Sequence, residues 1–126
     1  MEKRIFISFA IEDENLRDFL VGQSRNDNCP FSFYDMSVKK AWDSEWKTNC
    51  RKKIKGCDGL IAIVTKSTKK ADGQLWEIEC AKQEDIPCKG IYGYSDDKPA
   101  TLPKELSGIS TTEWKWDTIK KWINSL

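Results

Sequence analysis

Six consecutive residues at positions 59–64, GLIAIV, constrain the fold of this chain more than any other segment. A strand with one wet face alternates apolar and polar side chains, and this run does not alternate. It therefore reads as a strand buried on both faces, as in the middle of a parallel sheet. Residues 4–10 (RIFISFA) form a first strand, β-branched and aromatic. Residues 12–21 place Leu16, Phe19 and Leu20 at helical spacing. Residues 22–30, rich in Asn, Asp and Gly, read as a loop. A short strand follows at 31–35 (FSFYD), then a loop at 36–40 and a helix from about Asp43 to Ile54, starting near Trp42 or Asp43.

After the central strand, spanning 58–65, come a loop at 66–73 and a helix at 74–83 (QLWEIECAKQ). A strand at 88–92, a loop at 94–106 with Pro99 and Pro103, and a short edge strand at 109–112 lead to a last helix at 117–126. Its Ile119, Trp122, Ile123 and Leu126 fall on one face and read as core packing. Alternating strands and helices predict an α/β fold, a doubly wound parallel sheet of about five strands. The expected order is 2-1-3-4-5, with 59–64 central and Ile61 and Ile63 buried. In such sheets ligands bind outside the carboxyl ends of the strands. The residues expected there are Phe9, Ala10, Asp35, 65–67 and 92–94.

Glu77 is the anomaly in this pattern. At about 100° per residue, Trp76, Ile78, Cys80 and Ala81 fan across one broad arc, with Glu77 near its middle. Glu79, Lys82 and Gln83 take the opposite side, with Leu75 the one apolar residue among them. An ionised carboxylate is costly to bury without partners. The pattern leaves two readings open: a carboxylate satisfied by the helix dipole or a nearby lysine, and a functional carboxylate.

Composition narrows the chemistry. A chain of 126 residues, 39% apolar and 33% charged, is expected to form one domain over 1–126. No run of eighteen apolar residues occurs, so no membrane span is expected. MEKRIFISFA enters a strand pattern directly, so no signal peptide is expected. Five cysteines without a CxxC pair argue against a disulfide framework and a zinc site, and fit a reducing cytoplasm. The chain has no histidine. Ser-His-Asp and Cys-His nucleophile systems and HExxH zinc sites are excluded. Carboxylates, hydroxyls and thiols would have to carry any catalysis.

Neither GxGxxG nor GxxxxGK[ST] occurs, so dinucleotide and phosphate loops of those kinds are unsupported. A phosphoacceptor receiver domain would need acidic residues after the first and third strands; Phe9-Ala10 and Thr65-Lys66 stand there. The basic clusters Arg51, Lys52, Lys53, Lys55 and Lys66, Lys69, Lys70 accompany a net charge of only +1. They read as solvated faces, and no nucleic-acid partner is expected. Most of the six tryptophans read as packing, while Trp42 and Trp46, four apart, are candidates for the rim of a site.

RIFISF, FSFYD, GLIAIVTKS and WEIECA followed by a strand together resemble the Toll/interleukin-1 receptor (TIR) family. The likeness is closer to the short TIR-like proteins of bacterial antiviral defence, of the Thoeris type, and spans about Arg4 to Tyr94. The resemblance implies a flavodoxin-like fold that cleaves the nicotinamide–ribose bond of NAD, with NAD as substrate and no cofactor or metal. Glu77 matches the catalytic glutamate, which contacts the nicotinamide ribose. Phe9 and Ala10 match the strand end bordering the pocket. Asp35 opens the segment corresponding to a mobile loop, and Ser67 matches a small polar residue beside the glutamate. Many enzymatic members carry Trp four residues before the glutamate, where this chain has Gly73. Trp76 is instead adjacent, so the pocket wall must be built differently.

The chemistry fits a chain without histidine. Cleavage passes through an oxocarbenium-like transition state that a partly desolvated carboxylate stabilises. Nicotinamide leaves without protonation. Attack by water gives ADP-ribose; attack by the substrate's own adenine gives a cyclic ADP-ribose. Other expected partners are further TIR domains or a second copy, through Met36 and Val38 after Asp35, and a downstream effector sensing the nucleotide product. The alternative is a non-enzymatic TIR-like interaction module.

Overall fold

The computed structural model describes residues 2–126. The strands are β1 (Lys3–Ser8), β2 (Phe31–Tyr34), β3 (Gly59–Val64), β4 (Cys88–Tyr92) and β5 (Thr111–Thr112). The helices are α1 (Glu14–Asn26), α2 (Ser44–Lys55), α3 (Asp72–Gln83) and α4 (Trp116–Asn124). Every strand pair is parallel, and the order is β2-β1-β3-β4-β5. This is the expected flavodoxin-like, doubly wound arrangement. All six residues of β3 are buried, and Ile61 and Ile63 are fully so.

The two faces of the sheet carry separate cores. Phe6, Leu60, Ala62 and Val64 pack beneath α2 and α3, against Cys50, Ile54, Ile78 and Ala81. Ile5, Ile7, Ile61, Ile63 and Ile91 face α1 and α4, against Leu16, Leu20, Ile119 and Ile123. Period two along β1 thus sends Phe6 to the α3 side and Ile5 and Ile7 to the α1 side. At the amino end of β3, Trp122 and Leu126 come so close that a Cβ on Gly59 would lie 2.9 and 2.8 Å from them. Among the described residues, no helix is long and apolar enough to cross a membrane.

The largest departure from expectation is the first helix. Residues 11–13 form a 3₁₀ turn, and α1 continues into the expected loop as far as Asn26. Tertiary partners override the local composition there. Ser24 is buried, and Gln23 Oε1 accepts a hydrogen bond of 2.8 Å from Trp114 Nε1. The chain turns only at Asn28, which takes φ 52°. Phe19, at helical spacing with the buried Leu16 and Leu20, is itself 59% exposed and meets Trp114 edge to face with centroids 5.6 Å apart. α3 begins at Asp72, two residues early, and α4 runs from Trp116 to Asn124 rather than to the end of the chain.

Candidate functional site

On α3, Gln74, Glu77, Ile78 and Ala81 form the buried i, i+3, i+4, i+7 stripe. Its first two members are polar, and they lie against the carboxyl end of β1. Ser8, the last residue of that strand, shares the period-two face of Phe6 and so points toward α3. Glu77 is 0% exposed, and its Oε1 accepts a 2.9 Å hydrogen bond from Ser8 Oγ. The same hydroxyl lies 3.3 Å from the backbone carbonyl of Gln74. Gln74 Nε2 donates to the carbonyls of Ser8 (3.1 Å) and Ile63 (2.8 Å), tying the start of α3 to β1 and β3.

The second oxygen of Glu77 is held from outside the sheet. Lys39 Nζ, from the loop between β2 and α2, is 2.7 Å from Oε2, and its side chain is only 9% exposed. Two contacts fix this loop. Trp46 Nε1 donates to the Val38 carbonyl at 2.6 Å, and Asp43 Oδ1 caps α2 by accepting from the backbone N–H of Glu45 (2.8 Å) and Trp46 (3.1 Å). The lysine stem lies across Gly73, where a Cβ would stand 2.7 Å from Lys39 Cβ. Only glycine leaves room for that crossing. The ammonium also sits 4.2 Å from the centroid of the Phe9 ring, within cation–π range. On the Asp35 side, Arg17 approaches the same ring at 5.3 Å and pairs with Asp35 at 2.7 Å.

Burial dominates the titration of Glu77 and raises it from 4.5 to about 7; Lys39 and Ser8 pull the other way, and Asp35 adds slightly to the rise. The carboxyl group is therefore poised to change charge near neutrality. A second buried acid, Asp13, accepts a 2.6 Å hydrogen bond from Thr65 Oγ1 and is also raised, again by burial against that bond.

A cavity of about 220 Å³ opens beside Lys39 and is lined by Ala10, Ile11, Trp42, Gly73 and Gln74 among others. Glu77 does not line it; Lys39, which does, is its ion-pair partner. Of the residues expected at the site, Phe9 and Ala10 lie beside Lys39 or in the cavity wall, both fully buried. Asp35 belongs to a separate cavity between α1 and β2, with Arg17, Phe31 and Phe33. Trp46 is buried, stacks edge-on against Trp76 at 5.5 Å and anchors the loop rather than lining the cavity. Trp76 borders a groove formed with Lys47, Arg51, Lys52 and Lys55 of α2. Ser67 follows β3, and its backbone N–H donates to Thr65 Oγ1 at 3.1 Å; neither it nor Trp76 lines the cavity beside Lys39.

Ser8, Lys39 and Gln74 are additions to the expected set. Ser8 carries a readable signal, since it is polar at a position where the β1 period calls for an apolar side chain. No cluster of three metal-ligating side chains occurs among the described residues. No protein-family model matches the chain, and no curated protein matches it in sequence.

Proposed function

We propose that this chain is a TIR-like enzyme that cleaves the nicotinamide–ribose bond of NAD, with Glu77 as the catalytic carboxylate. The observation that carries the reading is Glu77 itself: wholly buried, on the inward stripe of α3, beside the carboxyl end of β1, and titrating near 7. Its ionised form would stabilise the oxocarbenium-like centre as nicotinamide departs. Ser8 would orient the carboxylate through Oε1, leaving Oε2 to the sugar once Lys39 withdraws. Water as acceptor gives ADP-ribose, and the adenine ring as acceptor gives a cyclic ADP-ribose. Either would serve as a nucleotide signal in an antiviral response, read by a downstream effector.

A second reading, a TIR-like interaction module without catalysis, draws on a specific observation. Lys39 and Ser8 already satisfy Glu77, so the buried carboxylate has a structural role without any substrate. Val38 (57% exposed) and Trp42 (80% exposed) on the same loop offer apolar contact for a second copy or another TIR domain; Met36 packs partly inward.

Release of free nicotinamide from NAD by the purified chain separates the two readings. Glu77→Gln should lower it by a factor on the order of 10² or more. Glu79→Gln, on the exposed side of α3, should leave it near the parent rate. Comparing dilute and concentrated protein covers a requirement for self-association. No nicotinamide at either concentration, or equal rates for the two variants, would favour the interaction module.

A further inference from the structure

The cavity between α1 and the edge strand β2 measures about 480 Å³ and has no part in the Glu77 site. That volume falls within the roughly 300–1,000 Å³ of sites that enclose a small molecule. Phe31 and Phe33 supply its aromatic wall. Period two places both on the α1 face of β2, where they are only half-buried. Val21 and Gly22 line it from α1. A Cβ on Gly22 would meet nothing within 4 Å, so the space above this glycine is open.

The second observation is Ser24. It continues the buried stripe of Leu16 and Leu20 by one helical turn, is 3% exposed, and lines the cavity. A helical hydroxyl commonly bonds back to the carbonyl four residues earlier, as Thr48 does to Ser44 at 3.0 Å. Ser24 Oγ makes no hydrogen bond among the described residues, and it is not sealed from solvent as Gln74 Oε1 is. Its opening is therefore toward the cavity. A side chain this buried with an unpartnered hydroxyl calls for a group that completes it.

Charge restricts what that group belongs to. Two arginines and two aspartates line the cavity, so its walls are balanced. Arg17 is engaged within the protein, its nitrogens 2.7 Å from Asp35, 2.8 Å from Asp18 and 3.7 Å from Glu14. Arg25 is exposed to solvent. An ion would lose water there without gaining a buried partner. Cys29 supplies no nucleophile, because partial burial and its hydrogen bond to Asp27 raise its titration and keep the thiol neutral.

We propose that this cavity is a binding site for a small, uncharged, largely apolar molecule carrying one hydroxyl, with Phe31, Phe33 and Val21 as its walls and Ser24 as its polar anchor. The binding is reversible and involves no bond cleavage. It does not rest on the NAD reading, and either can fail alone.

The test is an amide-resolved NMR titration of the isotope-labelled chain near neutral pH. The probes are 2-naphthol, which is uncharged there, and naphthalene-2-sulfonate, the same ring system with a charge. 2-Naphthol should bind saturably with a Kd of about 1 mM or tighter, shifting amides of α1 and β2. The sulfonate should bind about tenfold or more weakly, since the cavity offers its charge no free buried partner. Ser24→Ala should weaken 2-naphthol about fivefold, the loss of one neutral hydrogen bond, and should melt with the parent. Gly22→Leu sends a side chain into the open space and should weaken it at least about tenfold. That variant should melt no lower than the parent, because leucine is the better helix former. No saturable 2-naphthol binding, equal or tighter binding of the sulfonate, shifts confined to other faces of the molecule, or parental affinity in Gly22→Leu would overturn the site. Parental affinity in Ser24→Ala would overturn the anchor.

Discussion

Replacing Lys39 by Met keeps an unbranched stem over Gly73 and removes the ammonium from Glu77. The cost should depend on pH in a way that few single substitutions show. In the unfolded chain Glu77 titrates near 4.5, and in the fold near 7. Between those values the native state holds a proton that the unfolded state has released. Its contribution to stability therefore falls as pH rises through the window and levels off above about 7. At about 1.36 kcal/mol per pH unit, the charged form costs the fold about 3 kcal/mol relative to the protonated one. Without Lys39 the titration moves higher, because the ammonium holds it down. The decline then continues past 7. Near pH 5.5 both proteins carry a protonated Glu77, and the variant should lie within about 1 kcal/mol of the parent. Near pH 8.5 the variant should be about 2 kcal/mol less stable, a loss of roughly 6–10 °C in melting temperature. Urea or thermal denaturation across this range reads the effect, and the absence of histidine keeps imidazole titration out of it. Glu77→Gln in the Lys39→Met background should erase the difference in pH slope. An equal loss at both pH values, or no loss at either, would refute the claim that this pair sets the charge of Glu77.

Glu77→Gln alone should melt at or above the parent near pH 8, since it deletes a desolvated charge and the flexible Lys39 side chain can swing its ammonium out to water; a large loss by thermal denaturation would contradict this. Nicotinamide release from NAD should fall as pH drops through about 7, tracking protonation of Glu77, and a rate flat across that range would contradict the catalytic assignment. Gly73→Ala should cost about 1–3 kcal/mol in urea denaturation, because the added Cβ, 2.7 Å from Lys39 Cβ, forces the loop away. Asp43→Ala should cost about 1 kcal/mol through loss of the α2 cap, measured the same way.

The sheet was legible because its central strand carries an uninterrupted apolar run, and a parallel order follows once helices separate the strands. Glu77 was legible for a related reason: helical period exposes a charge placed on an apolar arc. Ser8 is a fainter departure of the same kind, since one hydroxyl on the buried face of a strand perturbs the pattern far less than a carboxylate. Lys39 had no pattern to violate. Loops lack periodicity, and its position depends on the Asp43 cap, the Trp46 tether and the space above Gly73 acting together. Of Trp42 and Trp46, four apart, only Trp42 lines the cavity beside Lys39, because Asp43 caps α2 between them. Trp42 lies outside the helix, so the two rings share no face. The far end of α1 was hidden because its support comes from Trp114, ninety-one residues away along the chain.

Ser8 has one hydroxyl proton and two acceptors within reach, Glu77 Oε1 at 2.9 Å and the Gln74 carbonyl at 3.3 Å. When Glu77 is ionised, the proton belongs on the carboxylate. When Glu77 takes up a proton of its own, the hydroxyl can rotate to the carbonyl and turn a lone pair toward the new acid O–H. A unit change of charge in a fully buried pocket is then absorbed by the rotation of a single hydrogen, with no heavy atom displaced. Backbone geometry at the end of β1 would be the same on both sides of the titration. Beyond the proton gained on Glu77, the two states would differ in where the hydroxyl hydrogen of Ser8 points, a difference carried by the vibrational and proton-resonance signatures of Ser8 and Glu77.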